Sequence, residues 1–184
     1  MDAAALVTRV RDHYVDQFSA FANEQRRSCT QGSSEVKFQL SEDSEVFQRL
    51  YCVDFIKNDG DVQAVEFQPE NILTFDEVSA SFGSAALLIQ YLRWDDVVIF
   101  HDVQALPHEK VAEWFRLWFD PDDERHDQDA PLSDVIHSLL IQPSSISVDY
   151  GTAAPGAFWD MLELLVDAGA TTIRVSSSRA DADS

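Results

Sequence analysis

The chain of 184 residues carries 33 Asp and Glu against 13 Lys and Arg, a formal charge of −20 with a pI near 4.3. Such a charge repels nucleic-acid phosphates and anionic membrane surfaces within the Debye length, which excludes both as favoured partners. With 45% apolar residues, including twelve Phe and four Trp, the chain can bury one sizeable core, and no run of about 18 apolar residues announces a membrane span.

Charges at Asp2, Arg9, Arg11 and Asp12 interrupt any signal-like apolar stretch at the start. Cys29 and Cys52 form no CxxC pair, so neither a disulfide framework nor a cysteine zinc site is implied. These features lead to the expectation of a cytoplasmic protein with no cofactor, folded as a single domain over residues 1–176 with a frayed tail at 177–184.

In chain order, Leu6, Val10, Tyr14, Phe18 and Phe21 share one side of a helical wheel, which predicts an amphipathic helix over residues 3–27. SCTQGSS, 28–34, reads as a loop. VFQRLYCVDFI, 46–56, is rich in aromatic and β-branched residues with apolar side chains on both faces, which predicts a central strand. Asn58, Asp59 and Gly60 then turn it into a hairpin with DVQAVEFQP, and Val36 to Leu40 supplies a neighbour. Residues 73–82 fit a short helix or a strand equally well. Ala86 to Leu92 and Val97 to Phe100 read as strands on either side of a Trp94-Asp95-Asp96 turn.

After Pro107 the period becomes helical. Val111, Trp114, Phe115, Trp118 and Phe119 span an arc of roughly 140° at 100° per residue, the strongest apolar stripe in the chain. A polar loop follows, DPDDERHDQD, and then Leu132, Val135, Ile136, Leu139 and Leu140 repeat with helical spacing, which predicts a second short helix with His137 off its apolar face. Ser145 to Tyr150, Gly156 to Ala168 and Thr171 to Ser176 read as strand, helix and strand, a parallel βαβ crossover closed by Gly169. The fold class expected is α+β, a mixed β-sheet of antiparallel hairpins plus this C-terminal unit, packed against several helices.

Four stretches invite chemistry. RWDDVVIFHD, 93–102, offers Asp96, His101 and Asp102 as metal ligands, but alternation along a strand points His101 and Asp102 apart, and Asp96 lies about 20 Å from Asp102. The acidic loop has Asp120, Asp122 and Glu124 at calcium-loop spacing, yet Arg125 stands where glycine makes the bend and Pro131 where a bidentate glutamate is required. GTAAPG, 151–156, has phosphate-loop glycine spacing, but Ala157 and Phe158 replace the Lys and Ser/Thr of that motif. Of the five histidines, none sits with a nucleophile or at helical ligand spacing, so all read as scattered surface residues, and no catalytic serine or cysteine signature is present.

The leading expectation is therefore a binding or regulatory protein without catalysis, immunity-like in type, that presents an acidic surface to a basic protein partner. Trp114, Trp118, Asp120, Asp122, Asp123, Glu124, Asp127 and Asp129 are the interaction candidates, since aromatic anchors beside carboxylates suit such a partner. The alternative is a metal-assisted hydrolase using Asp96 or Asp102 with a histidine. The helix at 156–168 has only a narrow polar strip, which leaves a homo-oligomer open.

Overall fold

The computed structural model describes residues 2–40 and 45–180. Helix α1 (Ala3–Arg27) begins where the Asp2 carboxylate accepts from the Ala4 and Ala5 amides at 2.7 and 3.1 Å, satisfying donors that the first turn leaves free. Its apolar side buries Leu6, Val10, Tyr14 and Phe18.

Three strands form a small antiparallel sheet in the order β1-β2-β3: β1 (Gly32–Gln39), β2 (Leu50–Asn58) and β3 (Val62–Val65). The strand expected from residue 46 starts only at Leu50, because Val46–Arg49 form one helical turn, α2, which delivers Phe47 into the core beside Phe115 with centroids 6.3 Å apart. The β2–β3 hairpin turns at Gly60, whose φ of +116° is a conformation that side chains disfavour.

Six strands form the larger sheet: β4 (Val78–Phe82), β5 (Ala85–Ile89), β6 (Val97–His101), β7 (Ser138–Gln142), β8 (Ser145–Asp149) and β9 (Thr172–Ser176), in the order β4-β5-β9-β6-β8-β7. The ambiguous stretch 73–82 thus ends in a strand. Helix α4 (Pro155–Asp167) carries the chain from β8 to β9, two strands that run parallel with β6 inserted between them and hydrogen-bonded antiparallel to both. The hydrogen-bonded parallel pair is β5–β9. The architecture is α+β with a mixed sheet, as the pattern of elements required.

The helix expected over 132–140 is instead an extended segment leading into β7. Leu139 is buried while Leu140 is 54% exposed, the alternation of a strand. Backbone bonds explain the choice: the His137 amide donates to Asp149 O and its carbonyl accepts from Cys52 N, each at 2.8 Å, so this segment bridges both sheets. An apolar repeat of five residues in nine serves either geometry, and pairing with β8 decides.

Helix α3 (His108–Phe119) packs on α4, with Trp114 Nε1 donating to Ala157 O at 3.0 Å. Trp94, Tyr150 and Phe158 fill the space beneath, the first two stacked with centroids 4.7 Å apart. Side chains from α1, α3, α4 and both sheets form one continuous buried cluster. Residues 177–179 of the expected tail are placed against Asp96, and 181–184 lie outside the described residues. Among the described residues, no helix is long and apolar enough to cross a membrane.

Candidate functional site

The aspartates around β6 are occupied by the backbone they organise. Asp102 accepts from the amides of Thr171 and Thr172 at 2.9 and 3.3 Å and from the Thr171 hydroxyl, bonds that hold its carboxyl well below the usual range. At the other end of the strand, Asp96 accepts from the Ser177 and Ser178 hydroxyls at 2.7 and 2.8 Å. Burial opposes its ionisation, but these bonds and Arg179 outweigh that cost and leave its pKa lowered. His101 is buried with neither ring nitrogen hydrogen-bonded among the described residues, and burial lowers its pKa. The structure therefore keeps Asp96, His101 and Asp102 apart. Among the described residues, no group of three or more His, Cys, Asp and Glu side chains is placed to hold a metal ion.

The acidic loop and its helix make a different arrangement. Two of the interaction candidates turn inward and are corrected here: Trp114 is bonded to α4, and Asp120 is buried, accepting from the Glu124 and Arg125 amides at 2.9 and 3.0 Å. Asp120 ends α3 in a left-handed conformation (φ 52°), which an aspartate tolerates better than most residues, so its carboxylate folds the loop back on the helix. Asp122, Asp123, Glu124, Asp127 and Asp129 stay exposed. Trp118 is half-buried, donates from Nε1 to Asp160 at 3.0 Å and lies under the Arg125 guanidinium, which joins the loop to α4.

Beside this junction a shallow groove of about 330 Å³ runs between α3 and α4, lined by Lys110, Glu113, Trp114 and Leu117 from α3 and by Asp160, Glu163, Leu164 and Asp167 from α4. Leu117 is 48% exposed at its centre. Glu109 on α3 extends the acidic border, and the exposed cations on these elements are Lys110, Arg116 and Arg125. Lys110 approaches Asp167 at 3.5 Å, and Arg125 is taken up by Leu117 O and Trp118. The surface is an apolar strip with carboxylates along both sides.

A third feature, on which the histidine expectation fails, lies between the two sheets. His137 is 1% exposed. Its Nε2 meets Glu35 Oε1 at 3.1 Å, and its Nδ1 lies 3.0 Å from Asp54 Oδ1 in an ionic contact too bent to count as a hydrogen bond. Asp149 Oδ2 stands 4.0 Å from the same nitrogen. Glu35 sits on β1 at a left-handed φ of 53°, where it also accepts from the Ser133 amide at 2.7 Å and from the Thr152 hydroxyl. Burial opposes the charge on both partners, and the attraction between them prevails: Glu35 is lowered, and His137 is held well above 6.5 by Asp54, Glu35 and Asp149. Burial pushes Asp149 up to about 7, although 29% of its side-chain surface still meets solvent.

GTAAPG closes over this cluster rather than over a phosphate. Gly151 has a φ of +50°, and a Cβ there would fall 2.2 Å from His137 Cδ2, so the glycine is required by the buried ring. The carbonyls of Thr152 and Ala153 accept from Arg11 on α1. Glycine spacing was the signal for a close approach here; the approaching group is an imidazole. No protein-family model, no curated protein and no solved structure matches this chain.

Proposed function

We propose that this protein is a non-catalytic binding protein whose α3–α4 face and adjoining loop receive a basic protein partner. The observation that carries the reading is the groove around exposed Leu117, an apolar centre flanked by Glu113, Asp160, Glu163 and Asp167 and continued by the exposed carboxylates of 122–129. Such a layout supplies the two parts of a specific interface, a desolvated anchor and a charged rim that steers and orients the incoming surface. An immunity-type inhibitor that masks a cationic toxin is one concrete form.

The test compares affinity capture from the source cells by the wild type, by Glu113→Lys/Glu163→Lys/Asp167→Lys, and by Asp12→Lys/Asp16→Lys on α1. The expected result is a partner of pI above about 9, of the kind charge complementarity selects, retained by the wild type and the α1 variant and lost with the groove variant. Equal loss with both variants, or a partner that is itself acidic, refutes the assignment.

A further inference from the structure

We propose that the His137 cluster is a proton-operated latch that joins the three-stranded sheet to the six-stranded sheet and sets the order of the acidic segment between Asp120 and His137. The geometry of the ring carries this. Both imidazole nitrogens face carboxylates, Nε2 toward Glu35 of β1 at 3.1 Å and Nδ1 toward Asp54 of β2 at 3.0 Å, while the histidine itself belongs to the segment entering β7. Only the doubly protonated imidazolium presents N–H to both. A neutral ring donates to one and turns a lone pair on the other, leaving either fully buried Glu35 or half-buried Asp54 against an acceptor.

Among the described residues, the groups around the ring supply no other cation. From β1 comes Glu35; from β2, Cys52 and Asp54; from β8, Asp149; from α1, Tyr14 and the Phe18 ring, whose centroid lies 5.7 Å away; and Asp95 acts at longer range. Arg11, also on α1, is engaged by the carbonyls of Thr152 and Ala153. Loss of the ring proton therefore leaves Glu35, Asp54 and Asp149 facing one another uncompensated, and the exposed edge of Asp149 gives the proton a route to solvent.

The same strand holds the acidic segment at both ends. Glu35 accepts from Ser133 N, and two residues along β1 Lys37 Nζ donates to Asp120 O and pairs with Asp123. Loss of the ring cation leaves Glu35, the carboxylate that holds Ser133, without the charge that offsets it, and so loosens 120–136. The latch stands whether or not that segment docks a partner.

The experiment is an NMR titration of the whole chain between about pH 5 and 10, following the His137 ring nitrogens and the amides of Ser133, Gly151 and residues 120–136. The expected result is an imidazolium at neutral pH and an alkaline transition shared by the ring and the amides of Ser133 and 120–136, with Gly151 sensing in addition the ionisation of Asp149 at about 7. In Asp149→Asn, which keeps an acceptor for the Gly151 amide, that midpoint falls by about one unit or more as a neighbouring negative charge is removed. A ring that keeps one protonation state across the range, amides that ignore its titration, or a midpoint unmoved by Asp149→Asn overturns the latch; the first two readings need only the wild type.

Discussion

At the scale of single residues, the structure concentrates its strongest constraints on His137 and what touches it. Glu35 has a fully buried carboxylate in a left-handed backbone conformation, so its charge is tolerated only because His137, Ser133 and Thr152 answer it. Replacing the ring by His137→Ala strands that charge, and urea denaturation should show a loss of about 3–5 kcal/mol, the range for breaking a buried pair from one side. The double substitution with Glu35→Gln should recover part of it. Gly151→Ala combines a positive φ with a Cβ 2.2 Å from the imidazole, and should cost about 2 kcal/mol or more in the same assay. None of this was legible from the histidine alone. Its partner Glu35 lies 102 positions away, and only the unusual run of glycine, threonine and small residues at 151–154 hinted that a side chain would press on backbone there.

At the scale of elements, one-sided apolar periods were readable wherever a helix faces a single core. α1 and α3 follow from their own residues, while α4, apolar over most of its surface, follows from its place between Pro155 and Gly169. The order of the large sheet was not, because inserting β6 between β8 and β9 is a choice made by pairings between distant segments. Segment 132–140 shows the same limit, since a strand with one edge on β8 needs the same apolar residues as a short helix. The interaction candidates divide along this line: the stripe of α3 located Trp114 and Trp118 on one helix, but only the packing of α4 shows that the first is covered and the second shares its indole with Asp160. Trp114→Phe keeps the apolar contact and removes only the indole N–H that reaches the Ala157 carbonyl, so it should destabilise by about 1 kcal/mol, measurable by denaturation.

At the scale of the whole molecule, charge governs the response to pH. Asp149 is raised to about 7, so between its ordinary value and neutrality the folded chain holds a proton that the unfolded chain has released, and stability falls as pH climbs through that window. His137, raised above 6.5, acts in the same direction: its contribution is complete below 6.5 and lost as pH passes its folded value. Glu35, lowered, contributes above 4.5 and loses that contribution as pH falls through its folded value. The three place the optimum on the acid side of neutrality. Urea midpoints should be higher near pH 5.5 than near pH 8.5, and Asp149→Asn should shrink that difference.

The charge of −20 also sets how the molecule meets others, and a dedicated docking face localises its effect rather than spreading it evenly. The measurement that tests this most directly is a residue-resolved NMR titration with a short oligoarginine peptide at moderate salt. The prediction is that shifts appear first at Glu113, Leu117, Asp160, Glu163 and Asp167 and at the Trp118 indole, ahead of Asp12 and Asp16 on α1. Shifts that rise together across the whole surface would contradict a dedicated docking face.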